Sequence, residues 1–268
     1  MKILTSILKL FIKFLIYPFK KNKYLKKYLF DIALKKELDG YIDNGYYTGF
    51  EHIYKSIKIG KKLISDISEP IIVDIGGSIG FTAELFSKNF PKTDIYVFEP
   101  IADNYKLLSV ISSKNPKIKS IHKALGNEVK DSEINIAKRI SASSLFELNS
   151  NEKFPVFAEN LKSERKEKIQ LSKLDIEIPI NKNILILKID VQGFEIEVLK
   201  GALEVLKRTS IVTLEMNNHN GYIGSPKYFD IDQFLRNSGF VLFDILPSTK
   251  SNDQLVEWDC IYISATKI

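Results

Sequence analysis

Four carboxylates close apolar, β-branched runs: Asp74 ends IIVD, Glu99 ends IYVFE, Asp190 ends ILILKID and Glu215 ends IVTLE. If those runs are parallel strands, Asp74, Glu99 and Asp190 emerge at one mouth, beyond the strand C-termini where open α/β sheets bind ligands. Carboxylates there can accept from ribose hydroxyls, balance a cationic ligand, or take a proton from a reacting group.

The segment IIVDIGGSIGFTAELF, residues 71–86, is the sharpest of the four. Its pattern is Asp-x-Gly-x-x-x-Gly, from Asp74 through Gly76 to Gly80, with Gly77 inside the loop. Glycines allow a tight turn and close approach of backbone to a ligand at the mouth of a helix. A dinucleotide fingerprint needs glycine where this chain has Ile75. An acid at position 74 would repel a pyrophosphate and suits the cationic methionine portion of S-adenosylmethionine. A ligand-free glycine turn is the plainer explanation of the loop alone. Glu99, 19 residues beyond Gly80, weighs against it, because an acid about 20 residues past such a turn holds ribose hydroxyls.

In KIDVQGFEIEVLKGA, residues 188–202, Asp190 is carried to a strand end and Gly193 turns the chain into a helix. Capping that helix is the bland role for Asp190. Glu195 and Glu197 fall in the first turn, where acids favour the helix dipole anyway. In TLEMNNHNGY, Glu215 ends a strand and His219 follows in a polar loop. A histidine can act as a general base near neutral pH, although a lone loop histidine is more often solvated. Asp190 and His219 are therefore the candidate bases, with Lys188 and Glu215 orienting the site. A divalent metal held by Asp190 and Glu215 is the alternative means of acidifying a hydroxyl.

The elements that would position these residues alternate. Strands are expected at Ile71–Ile75, Ile95–Phe98, Ile118–His122, Ile184–Ile189, Ile211–Glu215, Val241–Ile245 and Glu257–Ser264. Helices are expected at Phe81–Lys88, Asn104–Ser112, Phe194–Leu206 and Phe229–Asn237. Such alternation predicts an α/β fold, a parallel sheet covered on both faces. Only the polar loop Pro247–Gln254 separates the last two strands, so they should form an antiparallel hairpin. Residues 126–180 are less regular, with weak strand patterns near Ile134–Ile136 and Ile169–Leu171.

Charge divides the chain. Residues 1–36 hold ten lysines against one acid, Asp31, whereas the remainder is mildly acidic and the total is +6. A basic N-terminus on an acidic body argues against a nucleic-acid substrate. On a helix of about 100° per residue, Lys2, Lys9, Lys13 and Lys20 form a stripe opposite Ile7, Phe11, Phe14 and Leu15. Lysines interrupt every apolar run before it can span a bilayer. Residues 2–27 therefore read as an interfacial helix for an anionic membrane surface, or as a helix that packs on the body. The predicted organisation is a basic helical segment over residues 1–68 and a catalytic domain over residues 69–268. Cys260 is the single cysteine, which rules out an internal disulfide and makes the reducing cytoplasm the expected compartment, with peripheral attachment to the inner membrane face.

Together, VDIGGSIGF, FEP, ALGN of residues 124–127, SASSL of residues 141–145, KIDVQGFEIEVLKGA and TLEMNNH resemble the FkbM-type methyltransferases over roughly residues 70–245. The resemblance implies a Rossmann-like class I fold with a seven-stranded sheet, S-adenosylmethionine as donor, and O-methylation of a sugar or glycan hydroxyl. Carried over by position, Asp74, Gly76, Gly77, Gly80 and Glu99 would bind the donor, and His122 and Ala124 would hold the adenine edge. Asp190 would face the methyl group or the acceptor, with Ser143 and Ser144 lining the acceptor pocket. The family usually has Glu where this chain has Gln192. Tyr41, Tyr46, Tyr47 and Phe50 could stack on a sugar ring or pack the N-terminal helices. Three competing readings are a small-molecule O- or N-methyltransferase of natural-product assembly, a nicotinamide oxidoreductase, and a non-catalytic membrane scaffold.

Overall fold

A computed structural model describes residues 50–138, 140–149, 163–218, 221–251 and 254–268. The amphipathic segment 2–27, Tyr41, Tyr46, Tyr47 and His219 lie outside the described residues.

Helix α1 (Glu51–Leu63) precedes the alternation β1 (Pro70–Ile75), α2 (Phe81–Asn89), β2 (Asp94–Phe98), α3 (Ala102–Lys114) and β3 (Ile118–Ile121). An excursion follows through β4 (Ala124–Leu125), β5 (Lys130–Ala137), β6 (Ser163–Ser172) and the short helix α4 (Leu174–Glu177). The chain then re-enters the sheet as β7 (Asn183–Ile189), α5 (Glu195–Lys200), α6 (Leu203–Leu206), β8 (Thr209–Asn217) and α7 (Tyr228–Asn237). Strands β9 (Phe240–Ser251) and β10 (Gln254–Ser264) complete it.

Seven strands lie in the order β3-β2-β1-β7-β8-β10-β9. Neighbours from β3 to β8 are parallel, and β10 runs antiparallel to both β8 and β9. This is the Rossmann-like class I sheet with its C-terminal antiparallel hairpin. From β1 the chain winds outward to β3, then returns to place β7 on β1's other side. The strand order therefore reverses between β1 and β7, the point at which α/β sheets open a ligand crevice. The register Ile75↔Ile189 brings the loops after both strands, which carry Gly76–Gly80 and Asp190–Phe194, to the same end.

The central strands form because they are apolar throughout: β7 has every residue from Ile184 to Ile189 buried, Lys188 included. Parallel strands covered on both faces read as continuous apolar runs. Ile71, Val73 and Ile75 of β1 pack with Leu187 and Ile189 of β7, Val198 of α5 and Tyr262 of β10 in the main core. Helix α1 buries Ile53 and Ile57, and a Cβ on Gly60 would press on Phe90 and Ile186 at 3.1 and 3.3 Å.

Three local expectations change. The predicted helix Phe194–Leu206 is two helices that part at Gly201, a position that must be glycine because a Cβ there would run into the carbonyl oxygen of Gly126. Asp175 of α4 then caps the second piece, its carboxylate accepting the N–H of Glu204 (3.1 Å) and Val205 (2.8 Å), as a capping oxygen does at an exposed helix start. The polar loop Pro247–Gln254 is mostly strand, since β9 runs to Ser251 and β10 starts at Gln254. Pro247 is tolerated because β9 is the sheet's edge. Finally, the weak patterns at 134–136 and 169–171 belong to a second, three-stranded sheet ordered β4-β6-β5. Its apolar face buries Ile134, Ile136, Ile169 and Leu171 with Ile101 and Ala124.

Candidate active site

Gly76 has φ 76°, and a Cβ on it would collide with the carbonyl oxygen of Asp190. Only glycine therefore lets the β1 and β7 loops meet. Gly77 is as constrained, with the side chain of Val97 where its own would stand. The N–H groups of Gly76 and Gly77 both donate to the carbonyl of Phe98 at 3.0 Å, and that of Gly80 donates to Gly77 at 2.9 Å. Ser78 donates its N–H to Oε2 of Glu99 at 2.8 Å. These four N–H groups serve the loop itself. They form no free nest for a pyrophosphate, which the nicotinamide reading requires.

Beneath the loop, Asp74 is fully buried and its Oδ1 lies 3.0 Å from Nζ of Lys188, itself 6% exposed. Burial pushes the Asp74 carboxyl up, with the Lys188 charge opposing. Burial alone would lower Lys188, but the carboxylates of Asp74 and Asp190 outweigh it and hold the ammonium above its ordinary range. The same Nζ is 3.5 Å from Oδ2 of Asp190, whose side chain is 45% exposed. Lys188 thus links a sealed carboxylate to one that faces the cleft.

Glu99 is buried, and its Oε1 accepts the N–H of Ile101 at 2.9 Å and Nδ2 of Asn104 at 3.4 Å. Burial raises its carboxyl, and the N–H groups of Ile101 and Ser78 draw it back down. Glu195 is buried, and its Oε1 accepts the N–H of Gly193 (3.1 Å) and Val191 (3.3 Å). Burial pushes it up to about 7. Gln192 lies between two other acids, its Nε2 donating to Asp190 Oδ1 and to Glu215 Oε2, each at 3.2 Å. Burial, then Asp190, Glu257, Asp259 and Glu195, pushes Glu215 well above the carboxylate range.

A cleft of about 670 Å³, open solvent at its mouth included, joins these groups. Gly76, Ser78, Glu99, Ala124, Ser143, Asp190 and Gln192 are among the residues that line it.

The sequence model described as the methyltransferase FkbM domain matches residues 74–242, from the acid under the glycine loop to edge strand β9. The chain belongs to the FkbM methyltransferase family. It is an S-adenosylmethionine-dependent methyltransferase. Among curated proteins no significant match to the chain is found. Among solved structures it is similar to magnesium protoporphyrin IX methyltransferase of Synechocystis PCC 6803, at 11% identity over 80% of this chain and 79% of that one, TM-score 0.41. It is also similar to a methyltransferase of Clostridium acetobutylicum, at 11% identity over 87% and 99%, TM-score 0.41. A third is fibrillarin of Aeropyrum pernix, at 14% identity over 74% and 67%, TM-score 0.41. Likenesses this distant carry no argument about the reaction.

The FkbM domain distributes the sequence-predicted residues unequally. Gly76, Glu99, Ala124, Ser143 and Asp190 line the cleft, and the Glu99 carboxylate among them is buried. Asp74 and Lys188 lie beneath it, and Gly77 and Gly80 shape its loop, Gly80 with φ 93°. His122 lies elsewhere: its ring stacks on Tyr105 at 4.4 Å and its Nε2 is 2.9 Å from the Pro100 carbonyl. Lys123 and Ala124, not His122, reach the cleft wall. Ser144 is buried and donates its hydroxyl to the Gln192 carbonyl at 2.7 Å, so it fastens the loop instead of lining the pocket. Asp190 and Glu215 are brought together, but through an amide donor. Among the described residues no cluster of three or more His, Cys, Asp or Glu side chains is placed to hold a metal, and the Gln192 nitrogen between the two acids does not suit one.

Two groups escaped the sequence reading. His52 of α1 has Nδ1 3.0 Å from Oδ2 of Asp259, which lies across the strand pair from Glu215. Nothing local ties residue 52 to a partner on the last strand. Tyr222 is buried and donates its hydroxyl to the Ala142 carbonyl at 2.9 Å, tying its loop to the segment before Ser143. A Gly-Tyr pair in a polar loop gives no sign of that.

Proposed function

We propose that this chain transfers the methyl group of S-adenosylmethionine to a hydroxyl of a sugar or surface glycan. The observation that carries the reading is the half-exposed carboxylate of Asp190, fixed by Lys188 on one oxygen and Gln192 on the other, in a cleft that Glu99 also lines.

The donor, when bound, supplies an electrophilic methyl carbon on a sulfonium. Glu99 holds the ribose, with Ser78 and Ile101 fixing its carboxylate so that its remaining lone pairs face the cleft. Asp190 takes the hydroxyl proton as the acceptor oxygen bonds to the methyl carbon and the C–S electron pair stays on sulfur. Asp74 acts through Lys188, and both orient Asp190 instead of touching the donor. Much of the rate enhancement is positioning, as in any in-line displacement. His219 is the second candidate base.

A hydroxyl-rich acceptor suits a cleft whose lining includes the Asp190 carboxylate with Ser141 and Ser143. The basic amphipathic pattern of residues 2–27 points the same way, toward a cytoplasmic enzyme held peripherally on an anionic membrane where lipid-linked glycans are assembled. No helix among the described residues is long and apolar enough to cross a membrane.

Mass spectrometry of surface glycans from the host, with and without the gene, tests the acceptor. A 14-dalton difference (about one CH₂ per site, set by the in-line transfer) on a sugar is expected. Unchanged glycans, with a methylated small molecule lost instead, would move the acceptor to natural-product assembly.

A further inference from the structure

Gln192 occupies the left-handed backbone region at φ 54°, one of three non-glycine residues to do so among those described. Side-chain-bearing residues adopt that region at a cost and keep it where surrounding bonds impose it. Those bonds are present. Ser144 donates its hydroxyl to the Gln192 carbonyl at 2.7 Å, and Glu195 takes the N–H groups of both neighbours, Val191 at 3.3 Å and Gly193 at 3.1 Å.

The strained backbone aims one carboxamide between two acids. Its nitrogen donates to Asp190 Oδ1 and Glu215 Oε2 at 3.2 Å each, while its oxygen faces the Tyr222 hydroxyl at 3.5 Å. An amide nitrogen has two hydrogens, and one goes to a carboxyl oxygen of each acid, so both donors are used and neither is left for a ligand. Without the bridge, two carboxyl groups would stand close with nothing between them, an arrangement that like charges oppose.

We propose that the Gln192 carboxamide is a fixed bridge holding Asp190 and Glu215 together as one unit at the acceptor end of the cleft, in the place that a third carboxylate would turn into a divalent-cation site. Gln192 is a positioning residue: it acts on the acceptor through Asp190. Its role in transfer rests on the methyl-transfer reading, whereas the bridge itself does not. Three carboxylates around one point offer the oxygen donors that hard divalent cations prefer. The glutamine supplies the same cohesion with hydrogen bonds.

The test uses the full chain as wild type, Q192E and Q192M, since both variants keep a Cβ and share the backbone strain. Mn²⁺ is titrated by electron paramagnetic resonance, and thermal unfolding is followed with and without it. Q192E is expected to bind one Mn²⁺ at least about ten-fold tighter than wild type, an order set by adding one carboxylate ligand, and to regain thermal stability with it. Q192M is expected to unfold below wild type and to gain nothing from Mn²⁺. The bridge is overturned if Q192E takes up Mn²⁺ no better than wild type, if it fails to fold with Mn²⁺ as without, or if Q192M matches wild type in stability. Calorimetry of wild type with S-adenosylhomocysteine separates the two claims. No binding there would sink the methyl-transfer reading and leave the bridge standing.

Discussion

Nζ of Lys188 lies 3.0 Å from Oδ1 of Asp74, and both side chains are withdrawn from solvent. The acid that opens the family's glycine loop therefore meets a cation of the protein's own. Replacing either partner leaves the other charge buried and poorly compensated, a change that costs about 3–5 kcal/mol. Asp74→Asn and Lys188→Met should each lower the urea midpoint accordingly. The double variant should lose clearly less than the sum, because removing both charges removes the uncompensated one. Additive losses would show that the pair does not act as a unit.

Glu99 receives three donors, Ser78 N–H, Ile101 N–H and Asn104 Nδ2. Glu99→Gln turns one acceptor oxygen into a donor that faces a backbone N–H. It also removes a charged partner for the ribose, and hydrogen bonds to charged groups contribute about 1.5–3 kcal/mol. Calorimetry with S-adenosylhomocysteine should show Kd raised about ten-fold or more. An unchanged Kd would remove Glu99 from the donor site.

The buried carboxyl of Glu195 gives stability a pH dependence. Its folded pKa is raised by burial from 4.5 to about 7, so the folded state holds the proton more tightly than the unfolded state. The stabilisation is complete below pH 4.5, is lost as pH rises to about 7, and is flat above. At 1.36 kcal/mol per unit the loss reaches about 3 kcal/mol. Gln at 195 keeps an oxygen for the N–H groups of Val191 and Gly193 but does not titrate. Urea unfolding from pH 4.5 to 8 should show Glu195→Gln gaining on wild type across that window. A constant difference would contradict the account.

How far the sequence speaks follows from where each signal resides. Strands β1 and β7 were legible because both faces are buried, so their apolar runs are unbroken, and the acids at their ends stood out against them. Strand β6 was not. Its first six residues, Ser163–Lys168, are exposed or nearly so, and only Ile169, Leu171 and Ser172 are buried, too short an apolar run to show a period. The need for glycine at 201 was hidden because the Gly126 carbonyl that approaches it is remote in the chain. Gly201→Ala should therefore destabilise beyond the roughly 1 kcal/mol that an alanine would contribute favourably in a helix interior, with a lowered unfolding midpoint as the readout. A raised midpoint would mean that the close approach is not required. At the site, Asp190 was readable as a strand-end acid, whereas Glu215, expected to end its strand, lies inside β8, which runs on to Asn217. That Gln192 joins them depends on a left-handed backbone angle that no local pattern encodes.

The central claim, that the loop from Asp74 to Gly80 serves a methyl donor, is tested most directly by calorimetric titration of the purified chain. S-adenosylmethionine and NAD⁺ are compared side by side. The account predicts one saturable site for S-adenosylmethionine and no heat of binding for NAD⁺. Saturable binding of NAD⁺ with none for S-adenosylmethionine would contradict it.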